Sequence, residues 1–155
     1  MQVIDSGTQL GHPDLLANIW KNPGETGEDC GNGVDDDSNG YVDDCHGYDH
    51  HDGDGDPEDL NGHGTHCSGT VAADTNNNIG VAGVAGVKLM TNKFMGPDGR
   101  GYTSNAARAI QYGADNGARV SSNSYGGGGQ VSAMIAAITY FNDAGGMQKI
   151  KYGVS

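Results

Sequence analysis

Residues 61 to 73, NGHGTHCSGTVAA, constrain this chain more than any other stretch. Glycines on both sides of His63, Gly62 and Gly64, let a turn carry the imidazole to a surface. Cys67, Ser68, Gly69, Ala72 and Ala73 are small enough for a helix that packs tightly on its neighbours. The stretch predicts a histidine presented at the start of a packed helix. Alone, a histidine among glycines is also an ordinary turn residue. Two other stretches change that reading. Val3 to Gly7, VIDSG, is an apolar run ending in an aspartate at a glycine turn, the pattern of the C-terminal end of a buried parallel strand. Ser121 to Gly129, SSNSYGGGG, is a second strand-like segment running into glycines.

In this order the three stretches resemble the subtilisin-like serine peptidases, or subtilases, whose triad runs aspartate, histidine, serine. HPDL (12 to 15) and NNNIGVAGVAG (76 to 86) occupy their family places between them, and the resemblance covers roughly residues 2 to 144. It implies an α/β, subtilisin-like three-layer fold: a parallel sheet with helices on both faces, truncated in this chain. It implies serine-type endopeptidase chemistry on polypeptides, with Asp5 and His63 as catalytic residues. Asp5 is then the carboxylate that accepts the histidine Nδ1 hydrogen, and His63 the base that takes the serine proton and returns it to the leaving amine. Two backbone segments, Gly99, Arg100, Gly101 and Tyr102, and Ser124, Tyr125 and Gly126, then flank an extended substrate and bind it by strand addition. Without the family, the four glycines from Gly126 read as a flexible loop; no lysine follows to make them a phosphate cradle.

The resemblance also implies calcium. The aspartate of the HPDL motif, Asp14, is expected to share an ion with the Asn77 side chain and the carbonyls of Thr75, Ile79 and Val81. A second loop lies in an acidic insertion of about residues 25 to 59. There Asp35, Asp37, Asn39, Gly40, the Tyr41 carbonyl and Asp43 follow the first nine positions of an EF-hand loop. His46 replaces the bidentate glutamate of the twelfth position, and Asp44 is the candidate for the missing oxygen. The plain alternative is a solvated acidic loop. A further tract, Asp49, Asp52, Asp54, Asp56, Glu58 and Asp59, has looser spacing and reads as surface or as an attraction for basic substrate segments.

Cys30 and Cys45 bracket the EF-hand-like loop, and a disulfide there would add about 3 kcal/mol in the chain-entropy model. Pairing stays open on sequence alone, although a zinc site wants more cysteines and histidines at tighter spacing. Cys67 matches the free cysteine of thiol-containing subtilases, expected reduced, buried, non-nucleophilic and open to mercurials. His66 is three residues from His63, but no glutamate makes an HExxH pair, so a zinc hydrolase has little support.

With 8 basic against 20 acidic residues, the chain is a poor partner for nucleic acid or anionic membranes, and no apolar run approaches a membrane span. Val87 to Phe94 and Ala118 to Ser124 read as strands. Ala106, Ala107, Ile110, Gly113 and Ala114 form the apolar stripe of a helix beginning near Asn105, with Thr103 or Ser104 as cap. Val131, Met134, Ile135, Ile138 and Phe141 mark another helix. Residues 1 to 144 read as a partial catalytic domain and 145 to 155, GGMQKIKYGVS, as a tail departing from the family. Neither the oxyanion asparagine nor the nucleophilic serine is expected here, and Ser155 is no substitute. A frameshift, an alternative transcript end or a gene fragment is the expected origin. Met1 stands directly before the first strand, so a signal peptide and an inhibitory propeptide are expected upstream in the parent protein, with export following from the family. The isolated chain is expected to be inactive and marginally folded; a cooperative thermal transition in the monomer would count against that. The competing reading is a non-enzymatic calcium-binding or decoy fragment.

Overall fold

The VIDSG run forms β1 (Gln2–Asp5), four buried residues whose side chains alternate between two cores. Val3 packs with Leu15, Ile19, Ala72 and Leu89, while Ile4 packs with Met90, Ala106, Ile110, Tyr112 and Phe141 on the opposite face. A strand buried on both sides is what a parallel sheet requires. β1 is indeed central: β2 (Gly47–Asp49), β3 (Met90–Lys93), β4 (Val120–Asn123) and β5 (Met147–Ile150) complete a parallel sheet of order β2-β3-β1-β4-β5. The computed structural model describes residues 1–127 and 131–150. Gly128 and Gly129 of the glycine run, and residues 151–155 with Ser155, lie outside the described residues.

Three helices make the layers. α1 (His63–Ala72) lies against β1 on the Val3 side, and α2 (Thr103–Asp115) and α3 (Ser132–Asp143) pack on one another over the Ile4 side. This is the three-layer α/β fold expected from the sequence. Details differ for physical reasons. The two later strands are shorter than their apolar runs, because the runs extend past the paired ladder. α2 starts at Thr103 with no side-chain cap, two residues before the expected start and with neither Thr103 nor Ser104 acting as one. Beyond residue 144, where the sequence suggested no further element, β5 pairs with β4. Among the described residues, no helix is long and apolar enough to cross a membrane.

β2 overturns part of the surface reading of the second acidic tract. Its register sets Asp49 opposite Lys93, and their side chains, 1% and 4% exposed, form an ion pair of 2.7 Å. Asp49 also accepts the amides of His51 and Asp52. Others in the tract accept backbone amides: Glu58 that of the distant Leu10 and Asp54 that of nearby Asp56.

His50 is buried beside Asp49, edge-on to Tyr41, Tyr48 and Tyr112. Burial holds its imidazole down at about 4, with Asn92 opposing and Arg108 assisting. The unfolded chain therefore takes up a proton here that the folded chain refuses, and stability is lost as pH falls from about 6.5 toward 4. The expected loss is about 3 kcal/mol from this group. Urea unfolding at pH 7 and pH 4 measures it, and His50→Phe should flatten the difference by that amount.

Candidate active site and cation sites

α1 begins where an acidic turn satisfies its free amides. Asp59 Oδ1 accepts from the Asn61 and Gly62 amides at 2.9 Å each, and Oδ2 accepts from the Thr65 amide and hydroxyl. A carboxylate at a helix start also meets the positive end of the dipole. Burial works to raise the Asp59 pKa, but the Thr65 hydroxyl and these amides outweigh it and hold the group below its ordinary range. Ser6 ties this cap to the strand: its hydroxyl donates to Asp59 Oδ1 and accepts from the Gly64 amide, both at 2.9 Å. Spacing alone hid Asp59 among surface acids; its signal was an aspartate three residues before the glycine at a helix start.

Gly64 sets how near the helix comes. A Cβ there would lie 2.1 Å from the Gly7 carbonyl oxygen, so only glycine lets α1 seat against the turn after β1. The approach places His63 Nδ1 2.7 Å from Asp5 Oδ1, with Asp5 1% exposed and the His63 side chain half exposed. The Ser6 amide holds the same Asp5 oxygen. With Nδ1 on the carboxylate, Nε2 is the nitrogen left to exchange protons. Gly64→Ala is expected to separate the pair; the downfield N–H proton of a histidine hydrogen-bonded to a carboxylate, seen by NMR in the parent chain, should vanish in the variant.

Cys67 is unpaired, with Sγ 3.9 Å from His63 Nδ1. It is half-buried where full burial was expected, because its face of α1 opens toward the imidazole. Burial raises its pKa, a hydrogen bond with Ser124 opposes this, and the Asp5 charge adds to the rise. Alkylation by iodoacetamide should thus be slow at pH 7 and accelerate only in alkaline solution, which mass spectrometry of the intact chain would follow. Asp5, His63 and Cys67 offer ligand atoms within 4.8 Å of one another; His66 is exposed and outside the group.

The two expected substrate segments are exposed except at Tyr125, which is half-buried. Gly99, Arg100, Gly101 and Tyr102 lie on a turn in which the Gly96 amide donates to the Arg100 carbonyl, and Gly101 bridges Met95. Ser124 and Gly126 are exposed, and Tyr125 packs edge-on against Phe94 with centroids 4.6 Å apart. Asn61, two residues before His63, donates to the Pro97 carbonyl and joins the first segment to the helix start.

Asp14 and residues 75 to 81 come together in one loop. Positive φ at Asn76, Asn78 and Gly80 bends residues 75 to 81 around the buried Asp14. Asp14 accepts from Asn77 Nδ2 at 2.8 Å and the Val81 amide at 2.9 Å, and these two bonds hold its carboxyl below the ordinary range. A metal-ligating Asn77 would turn its Oδ1 to the site now faced by its NH₂.

The EF-hand-like loop folds differently. Cys30 and Cys45 form a disulfide that clamps its ends. Asp35 accepts the Asn39 and Gly40 amides, and Asp37 binds Asn22 and Asn39. Asp43, expected at the ninth position, instead accepts the amides of Gly31 and Gly33. Asp44 is buried and taken by Asn22, Asn39 and the Tyr112 hydroxyl, and His46 faces the Trp20 carbonyl. Tyr41 packs its ring on Tyr48 and Tyr112. Glu25, which loop spacing did not suggest, has a carboxylate oxygen within 4.8 Å of those of Asp35 and Asp37.

Comparison with known proteins places the chain in a family. A model described as the subtilase family matches residues 2–150. The chain is 34% identical over 139 residues to the thermophilic serine proteinase of Bacillus sp. (strain AK1), covering 89% of this chain and 28% of that protein. It is 32% identical over 139 residues to thermitase of Thermoactinomyces vulgaris, covering 89% and 41%. Among solved structures it is similar to S41 psychrophilic protease, with a TM-score of 0.73 at 29% identity, covering 95% of this chain and 43% of that one. The chain spans less than half the length of these relatives.

Proposed function

We propose, from the premise that this chain belongs to the subtilase family, that it is the N-terminal part of a serine endopeptidase domain and supplies two members of its triad. The observation carrying this reading is the 2.7 Å contact between His63 Nδ1 and the buried Asp5 carboxylate at the C-terminal end of a parallel strand. Asp5 holds the ring in the tautomer with Nε2 free and stabilises the imidazolium; His63 takes the serine proton and passes it to the leaving amine. The segments 99 to 102 and 124 to 126 hold an extended polypeptide by main-chain hydrogen bonds. The serine and the oxyanion asparagine are assigned to sequence outside this chain; the departure read from residue 145 is limited to residues 151–155, because the family model matches as far as residue 150. Calcium is proposed as a structural ion by analogy with the family, through the buried Asp14 carboxylate, the Asn77 Oδ1 and the carbonyls of Thr75, Ile79 and Val81; the Asn77 and Val81 N–H groups that Asp14 accepts here would have to yield to the ion. An inhibitory propeptide and export complete the reading, by analogy with the family.

The test is the parent transcript beyond the codon for Gly145. A reading frame that continues into an asparagine and a Gly-Thr-Ser segment supports the peptidase. A message that ends after Ser155 overturns it in favour of a calcium-binding or decoy product.

A further inference from the structure

We propose that Glu25 is a ligand of a calcium-class cation site shared with Asp35 and Asp37, in place of an EF-hand set running on to Asp43. The inference rests on the reading of this loop as a cation site and changes which residues form it.

Glu25 is 1% exposed. Its Oε1 accepts the Asp36 amide at 2.8 Å, which fixes the carboxylate against the loop. Its Oε2 is sealed from solvent and has no hydrogen-bond donor among the described residues. Ligand oxygens of Glu25, Asp35 and Asp37 lie within 4.8 Å of one another, a spacing bridged by oxygen bonds of about 2.4 Å to calcium. Among the described residues, none of the three has an ion pair with lysine, arginine or histidine. A buried carboxylate oxygen beside two further carboxylates is costly unless a cation neutralises it.

Packing explains why Glu25 reaches a loop ten positions away. A Cβ on Gly24 would lie 2.3 Å from Asp37 Cβ, so the turn through Gly24 seats directly on the loop. Asn22 accepts the Gly24 amide and donates to both Asp37 and Asp44. The Cys30–Cys45 disulfide holds the intervening chain in register. Asp35, Asp37, Asp43 and Asp44 all accept hydrogen bonds from amides, amide side chains or Tyr112, and Glu25 Oε2 is the buried oxygen of the group that accepts none among the described residues.

The test is calorimetric titration with Ca²⁺ of the whole chain after chelation, in an Asp14→Asn background that removes the other proposed site. The proposal expects one calcium, an affinity about 10-fold or more weaker in Glu25→Gln, and little change in Asp43→Asn, which keeps acceptor oxygen for the glycine amides. No calcium in the Asp14→Asn chain defeats the reading of the loop itself. Equal affinity in Glu25→Gln defeats the Glu25 assignment while the loop site stands, and so does an equal loss in Asp43→Asn. Should Glu25→Gln fail to fold by circular dichroism, the unsubstituted chain decides the matter. It has three glutamates, and the carboxyl ¹³C signal of Glu25 should move on adding Ca²⁺; a stationary signal overturns the proposal.

Discussion

His63→Ala, made in a complete subtilase catalytic domain carrying this segment, is expected to lower kcat on a chromogenic peptide by about 10⁶ with little change in KM. The magnitude is that seen in subtilisin, where removing the histidine alone costs about 2 × 10⁶ and the aspartate alone about 3 × 10⁴. Asp5→Ala should accordingly cost about 10⁴. The difference has a physical source in this chain. Without His63 there is no base for the serine; without Asp5 the base remains, but the Nδ1 contact of 2.7 Å that selects its tautomer is lost. The Ser6 cap and the close seat of Gly64 still hold the helix start in place. Equal losses in the two variants would mean that Asp5 does more than orient, and a His63→Ala enzyme within 100-fold of the parent would remove His63 from the mechanism.

Much of this site was legible because its parts are local. VIDSG ends a strand at a glycine whatever surrounds it, and a histidine between glycines opens a helix for backbone reasons alone. The long helical stripes and the alternation of strand and helix were equally readable. What escaped notice depends on residues that meet only across the sheet. β2 has three residues, Gly47, Tyr48 and Asp49, too few for any apolar period, and only the register with β3 turns Asp49 from a surface acid into a buried partner of Lys93. Glu25 was invisible for the same reason: EF-hand spacing counts along the chain, whereas the glutamate arrives through a turn packed on Asp37. Asp59 shows the limit of composition, since one member of an acidic run caps α1 while its neighbours cap loops. The disulfide was an open choice until Cys30 and Cys45 came together.

Asp49→Ala is expected to destabilise the chain by about 3 kcal/mol, the lower end of the cost of breaking a buried ion pair. The Lys93 ammonium is 4% exposed, and its only other acidic neighbour within ion-pair distance among the described residues is Asp52, 3.9 Å away on a largely exposed side chain. Asp52 softens the loss without replacing a 2.7 Å contact. The amides of His51 and Asp52 lose their acceptor too, which adds to the cost. Against a total stability of about 5 to 15 kcal/mol for a domain, such a change is large enough to move the urea midpoint clearly. The double variant Asp49→Leu with Lys93→Met separates charge from packing: it should recover most of the stability, because a buried pair is worth little over an apolar one of similar volume. Sheet register gives the pair a functional side. Lys93 lies directly opposite Asp5, so Asp49 keeps the buried cation engaged one strand away from the carboxylate that His63 needs. In Asp49→Ala the freed ammonium is drawn toward Asp5, and the His63 N–H resonance should weaken in a chain that is still folded. A resonance unchanged in the folded variant would confine Asp49 to stability alone.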